Sequence, residues 1–390
     1  MPNAGLPFAV MAKPVGSSCN MNCSYCYYLH NTEGGAQGRM SDEVLEAYIR
    51  SYMTTCPGNV CSFTWHGGEP TLASLSFFKR AVELQKKYLR PGQEVWNNLQ
   101  TNGQDLDDEW LKFIKDEHFD IGLSIDGTKE VHDTFRKDTR GLPTWDNARN
   151  TVKKLMDIGI RPDLLCTVTS MTAGKARETY RALRDMGTGW MQFIPIVRYM
   201  PDGTLTEDSV TPDMYGDFLT EVFDEWLYED MGRTQVQFFM EIIRVLMGGT
   251  ASLCTMMPVC GRVLVVEKDG GIYSCDHFVD KEHRLGNVLT DSLKDAVDSE
   301  AQLSFGSLKK KGLTGCCRSC RYLRFCRGEC LKDRTAVSPR GEPGHYLLCS
   351  GLRRFFDHAV PPLSYMVNRN REGAAPERIM HELLDKYKNR

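Results

Sequence analysis

Short apolar runs alternate with longer amphipathic ones through the first half of the chain. Runs at residues 8–13, 60–65, 95–101, 120–125, 163–169 and 191–197 are rich in branched and aromatic side chains, which predicts strands. Between them, residues 42–53, 75–89, 107–117, 145–158 and 175–186 carry apolar positions at helical spacing. Leu75, Phe78, Val82, Leu84 and Leu89, for example, leave polar residues on the other side. Strands alternating with helices predict βαβ units and a parallel sheet, and six repeats suit a partial (β/α)6 barrel. The loops after its strands would hold the chemistry, as they do in full barrels. Two further helices are predicted at 212–228 and 235–247.

The texture then changes. Nine cysteines fall between Cys254 and Cys349, among only short elements. Residues 263–266 and 272–274 flank Asp269-Gly270-Gly271 and read as a hairpin; residues 291–297 read as a short helix. So little apolar material predicts a region held together by bound metal. A change of domain is expected within 230–250, giving a barrel domain at 1–235 and a cysteine-rich domain with C-terminal helices at 236–390.

A chain of 390 residues exceeds the usual size of one core, which agrees with two domains. The net charge of −3 makes no electrostatic case for nucleic acid or an anionic membrane. Lys309-Lys310-Lys311 reads as a solvated surface patch. The apolar stretch at 8–12 is too short to span a membrane and lacks signal-peptide flanks, so a cytoplasmic protein is expected. The cysteine count of 15 is odd, and without an export pattern it favours metal binding over a disulfide framework.

Cys19, Cys23 and Cys26 form C-x3-C-x2-C in the loop after the first strand. A cubane iron–sulfur cluster normally uses four thiolates, so three leave one iron open to a small molecule. The amino and carboxylate groups of a methionine suit that iron, and an electron passed into an adjacent sulfonium would break a C–S bond and release a carbon radical. Zinc and plain buried thiols are the alternatives. Zinc wants four ligands, and His30, four residues after Cys26, is either a candidate or a loop residue. With Tyr25 before the last cysteine, the spacing resembles the signature of the radical S-adenosylmethionine superfamily. Gly67-Gly68-Glu69-Pro70 follows the second strand and is either a simple turn or, by the same resemblance, a cradle for the methionine amino group. Gln100-Thr101-Asn102-Gly103 ends the third strand, Ser124-Ile125-Asp126-Gly127 ends the fourth, and Arg136 follows.

In the tail, Cys260 and Cys275 flank the predicted hairpin as C-x14-C, and Cys317, Cys320, Cys326 and Cys330 follow as C-x2-C-x5-C-x3-C, closed by Cys349. This resembles the SPASM domain of radical enzymes that modify peptides and proteins. With Cys254 the tail offers eight thiolates, enough for two cubanes. The alternative is two or more zinc sites, and with them a zinc-binding scaffold protein. The resemblance assigns Cys254, Cys260, Cys275 and Cys330 to one auxiliary cluster and Cys317, Cys320, Cys326 and Cys349 to the other. Cys316 is open as a substitute for Cys317, and Cys56, Cys61 and Cys166 read as buried or incidental thiols.

Over nearly its whole length the chain resembles the anaerobic sulfatase-maturating enzymes. The resemblance rests on the triad, Trp65-His66-Gly67-Gly68-Glu69-Pro70, Gln100 to Gly103, Ser124 to Gly127, Gln192-Phe193-Ile194-Pro195 and Cys275-Asp276. Some members carry Gln where His66 stands. It implies oxidation of a Cys or Ser in a nascent sulfatase to Cα-formylglycine, with S-adenosylmethionine and three [4Fe-4S] clusters. An electron donor such as flavodoxin or ferredoxin is implied as partner, and neither nucleic acid nor membrane. Tyr25, Gly68, Ser124, Arg136 and Met191 correspond to cofactor contacts, Arg136 as a planar fork for the carboxylate. Asp276 corresponds to the base that removes the thiol or hydroxyl proton after a 5′-deoxyadenosyl radical takes hydrogen from Cβ; the remaining electron leaves through the auxiliary clusters. Read without the family, Asp276 is more simply a residue that caps a turn. The rival reading is a SPASM-type maturase that crosslinks or epimerises a ribosomal peptide; Cys254 and Asp276 favour sulfatase maturation.

Overall fold

The structure is a computed structural model that describes residues 7–29, 31, 33 and 38–387, so His30 lies outside the described residues. Among the described residues ten strands run in the order β1 (Ala9–Lys13), β2 (Val60–Trp65), β3 (Glu94–Thr101), β4 (Phe119–Ser124), β5 (Asp163–Val168), β6 (Trp190–Pro195), β7 (Gln235–Val236), β8 (Val263–Glu267), β9 (Gly271–Tyr273) and β10 (Arg284–Asn287). All six predicted barrel strands form. The chain divides into two compact units, each built from separated segments: residues 1–124, 133–162 and 260–308 in the first, and 125–132, 163–259 and 309–390 in the second.

In the first unit β1 to β4 are parallel neighbours, joined through the helices Asp42–Thr55, Leu75–Tyr88 and Asp108–Asp116. Two of those helices begin on a capping side chain: Ser41 accepts from the Val44 N–H, and Asp107 from the Trp110 N–H at 2.9 Å. Alternate residues of β2, namely Cys61, Phe63 and Trp65, are fully buried. Trp65 meets Phe77 and Phe78 edge-on at 6.0 and 5.4 Å, and Phe63 meets Tyr52 at 5.1 Å. Each such large side chain removed from water contributes roughly 1.5–3 kcal/mol.

The predicted hairpin does not stand apart. β8 runs parallel to β1, with β9 and β10 antiparallel beyond it, so the strand order is β10-β9-β8-β1-β2-β3-β4. Gly270 makes the turn at φ +86°, where a Cβ would lie 2.6 Å from the Asn287 side-chain oxygen. Leu264, Val265, Val266, Ile272 and Tyr273 are fully buried. The expectation that the cysteine-rich region has little core of its own is therefore corrected for residues 260–308: their apolar strands complete an existing sheet edge.

The second unit contains β5, β6 and β7 in parallel. Its helices Pro212–Glu225, Gln237–Leu246 and Cys349–Arg371 meet through Phe223, Phe239 and Phe355, whose ring centroids lie 5.2–5.9 Å apart. The helical pattern at 235–247 concealed β7 at its start. Lys309 also departs from expectation. It is fully buried, and its ammonium donates to the carbonyls of Cys254 and Thr255 at 2.5 and 2.6 Å; Lys310 and Lys311 remain exposed. The helix Glu300–Lys311 turns one lysine inward onto these two carbonyls, of which that of Cys254 also accepts from the Met257 N–H at 3.2 Å. No described helix is long and apolar enough to cross a membrane.

Candidate active site

The loop after β1 carries Cys19, Cys23 and Cys26 and is held from two sides. Asn22 and Ser24 donate their backbone N–H groups to the carbonyls of Lys137 and Phe135 at 2.8 and 3.0 Å. On the other side, Gly68 N–H donates to Gly16 and Glu69 N–H to Ser18, at 2.8 and 2.9 Å. Gly68 is required by this contact: a Cβ there would sit 2.0 Å from the Ser18 carbonyl oxygen. The Glu69 carboxylate, 1% exposed, accepts from the Thr71 N–H and hydroxyl, the Thr101 hydroxyl and the Asn102 N–H at 2.7–3.1 Å. One side chain thus ties the loop after β2 to the loop after β3. Asn102 continues the chain of contacts, donating to the Asn20 side-chain oxygen at 2.7 Å and toward the Cys19 sulfur at 3.7 Å. The sequence reading passed over Glu69 and Asn102, although both stand inside quoted motifs.

Burial pushes the Cys19 thiol up to about 12. A thiolate at this position needs a bound cation to replace its proton, which is what cluster iron does. The neighbouring residues fit the cofactor as well. Arg136 is 7% exposed, and its Nη1 donates to the Tyr25 hydroxyl at 2.9 Å. A guanidinium buried beside the triad loop suits a carboxylate. Ser124 ends β4, half-buried in the same unit as Tyr25, Gly68 and Arg136. Met191 lies in β6 of the second unit, 1% exposed. Asp126 has a local role: its carboxylate accepts from the Thr167 N–H at 2.8 Å.

Asp276 follows Cys275 just past β9. Its carboxylate, 19% exposed, forms an ion pair at 2.5 Å with Lys13, the fully buried last residue of β1. The Tyr27 hydroxyl donates to its other oxygen. Burial alone would raise the Asp276 carboxyl, but the Lys13 charge, with His66 and His277, outweighs it and holds the group well below the usual carboxylate range. The Lys13 ammonium also lies 3.3 Å from the centre of the Tyr28 ring. Tyr28 donates to Glu267, which faces Lys13 across the β1–β8 pairing. Burial pushes the Glu267 carboxyl up to about 7, against the pull of Lys13 and Tyr28. His66 adds a buried Nδ1 with no hydrogen-bond partner among the described residues, and burial lowers its imidazole. Lys13 and Glu267 were missed at the sequence level. The signal was there in both: a charge closing an otherwise apolar strand.

The tail cysteines divide between the units. Cys260 and Cys275 bracket β8 and β9 in the first; Cys254, Cys317, Cys320, Cys326, Cys330 and Cys349 lie in the second. There a cavity of about 760 Å³ is lined by Cys316, Cys317, Cys320, Cys326 and Cys349. Cys317 is buried and accepts from the Thr314 hydroxyl at 3.4 Å, whereas Cys316 is half-buried. Burial pushes Cys349 up to about 11 and Cys330 up to about 12; charge on Cys254 adds to the shift at Cys330. Five soft sulfur donors around one cavity suit an iron–sulfur cluster. Cys56, Cys61 and Cys166 are buried; Cys56 donates to the Val60 carbonyl and Cys61 accepts from Gln93.

Comparison with known proteins accords with this layout. Residues 14–186 match the Radical SAM superfamily, and residues 254–321 match the SPASM iron–sulfur cluster-binding domain. The serine-type anaerobic sulfatase-maturating enzyme of Bacteroides thetaiotaomicron is 37% identical, across 97% of this chain and 96% of that protein. The cysteine-type enzyme of Clostridium perfringens is 34% identical, across 93% of this chain and 99% of that one. The solved structure of anSMEcpe with bound AdoMet and the Cp18Cys peptide matches with a TM-score of 0.85 at 33% identity, covering 93% of this chain and 100% of that one. Streptococcus suis SuiB bound to its precursor peptide SuiA, 13% identical with a TM-score of 0.64, shares the fold. The expected fold class, a radical-SAM-type partial (β/α)6 barrel with a SPASM domain, is thereby that of the chain. Matched from end to end by both the serine-type and the cysteine-type enzymes, the chain belongs to the anaerobic sulfatase-maturating enzymes, which are radical S-adenosylmethionine oxidoreductases.

Proposed function

We propose that this protein oxidises a Cys or Ser side chain in a sulfatase polypeptide to Cα-formylglycine, with Asp276 as the base. The observation that carries the reading is the Asp276 carboxylate, held ionised by Lys13 in the same compact unit as the triad loop. The family's cofactors are S-adenosylmethionine and three [4Fe-4S] clusters. When bound, they supply one-electron chemistry: removal of a hydrogen atom from carbon, and a sink for the electron left behind.

The protein's part is to bind, aim and move a proton. Cys19, Cys23 and Cys26 would hold the triad cluster. Arg136 and Tyr25 would fix the methionine carboxylate, with Gly68, Ser124 and Met191 as further contacts. Cys254, Cys260, Cys275 and Cys330 would hold one auxiliary cluster, and Cys317, Cys320, Cys326 and Cys349 the other. The division of labour falls near residue 235, the radical chemistry before it and the auxiliary clusters after. Asp276 receives the S–H or O–H proton once hydrogen has left Cβ. A carboxylate held this far below its usual range is a weak base, yet it is always in the accepting form. Flavodoxin or ferredoxin fits the role of electron donor, and the cytoplasm, where both reside, the place of work.

One anaerobic assay tests the reading. Reconstituted protein, S-adenosylmethionine and dithionite are mixed with Cys- and Ser-containing sulfatase-motif peptides, and mass spectrometry follows formylglycine. Cofactor cleavage with both peptides unchanged would replace this reading with a peptide-crosslinking maturase.

A further inference from the structure

The segment from Cys316 to Cys349 combines cysteines with an excess of arginine. Residues 316–353 contain eight basic residues (Arg318, Arg321, Arg324, Arg327, Lys332, Arg334, Arg340 and Arg353) and three acidic ones (Glu329, Asp333 and Glu342), a local balance of +5 in a chain of net charge −3. Two of the three acids, Glu329 and Asp333, are buried, while Arg318, Arg321, Arg324, Arg340 and Arg353 are exposed. The 760 Å³ cavity that gathers five cysteines has Arg321, Arg340 and Arg353 in its lining and no carboxylate. Its rim also carries Val337, 65% exposed. Two acids act on the rim from outside the lining: Glu342 interacts electrostatically with Arg340 and Arg318, and Asp357 pairs with Arg321, whose side chain is still 72% exposed, and also interacts with Arg353.

Exposed guanidinium groups are screened by water and do little for the charge of a buried cluster. They act outward, on whatever approaches. A one-sign field around an opening raises the encounter rate of an oppositely charged partner and sets its orientation. An apolar residue on the same rim offers contact area once it arrives. Around a cavity built from cluster-type ligands, the partner whose chemistry fits is a carrier of electrons.

We propose that the arginine-rimmed mouth of this cavity, centred on Arg340 and Arg353, is the docking face for an acidic one-electron carrier protein. It rests on the reading of Cys317, Cys320, Cys326 and Cys349 as cluster ligands and names the partner of that site. One electron passes per encounter: the auxiliary centre that took an electron from the substrate is oxidised by one, the carrier is reduced by one, and no bond forms or breaks.

The test uses the holoenzyme and flavodoxin as the acidic probe. Arg340→Gln and Arg353→Gln are combined, with the double glutamate variant as a stronger form. Binding of oxidised flavodoxin is measured by calorimetry at low and high salt. The double glutamine variant should raise Kd about tenfold at low salt and flatten its salt dependence. Formylglycine formation driven by dithionite should stay at the wild-type rate, since so small a reductant needs no docking face. Unchanged flavodoxin affinity in both variants would overturn the proposal. So would weaker binding of the sulfatase peptide with flavodoxin binding intact, which would make the face part of the substrate site. If wild-type protein made no formylglycine with dithionite, the proposed function would fall by itself, because the binding measurement needs no substrate.

Discussion

A lysine with no exposed surface needs counter-charge, and Lys13 has Asp276 on one side and Glu267 on the other. Two outcomes follow for single side chains. Asp276→Asn should lower formylglycine yield by roughly 10²–10⁴-fold while S-adenosylmethionine still binds, read by mass spectrometry and by cofactor titration. Lys13→Met should bring in a pH dependence. In the native protein the Asp276 carboxyl is depressed, so its ion pair favours the folded, ionised form above the ordinary carboxyl pKa of about 3.9 and is lost only as pH falls through the lower folded value. Near neutral pH the native rate should therefore show no acidic limb from this group. Without Lys13 the strongest charge opposing burial is gone and the carboxyl rises, so the rate should fall as pH is lowered, by roughly tenfold for each unit below the new pKa. A flat pH–rate profile in the variant would contradict this. At this scale the sequence made Asp276 visible through Cys275 beside it. It hid Lys13, because pairing with a residue 263 positions away leaves no local pattern.

Among the elements, the loops after β1, β2 and β3 act as one stitched layer, and Gly68 is its tightest point. Gly68→Ala would push a methyl group into the Ser18 carbonyl, 2.0 Å away, and backbone cannot yield cheaply. The triad loop should shift, and reconstituted protein should hold roughly four fewer irons per chain, counted by elemental analysis. Full iron content in that variant would show that the layer tolerates the displacement. The long strands and amphipathic helices of residues 42–186 were legible because each has a clear period. The short pieces were not: β7 has two residues, and β10 follows no alternation that its four residues could display. The pairing of β8 with β1 was invisible for another reason, since register between distant strands is a tertiary choice.

The whole molecule is woven rather than strung. The chain passes between its two compact units five times, at residues 124, 132, 162, 259 and 308. The boundary proposed near residue 235 is therefore not a place to cut. A fragment ending there lacks β8, β9 and β10, so one edge of β1 would lie open and Lys13 would lose both carboxylates. The fragment should aggregate or melt without a cooperative transition, measured by circular dichroism, while the full chain unfolds cooperatively. Composition and cysteine spacing announced the two kinds of chemistry, but not this interleaving, which depends on where strands pair and not on what they contain.

The parallel pairing of β1 with β8 also works as a ruler. Lys13 stands six residues before Cys19, and its partner Glu267 stands nine before Asp276. A strand slipped by one residue turns every side chain to the opposite face. An insertion or deletion of a single residue in β1 would thus turn the lysine away from the aspartate and move the triad along the sheet in the same stroke. The spacing between the triad loop and Asp276 is written into hydrogen bonds of the backbone, where substitution of a side chain cannot easily reach it.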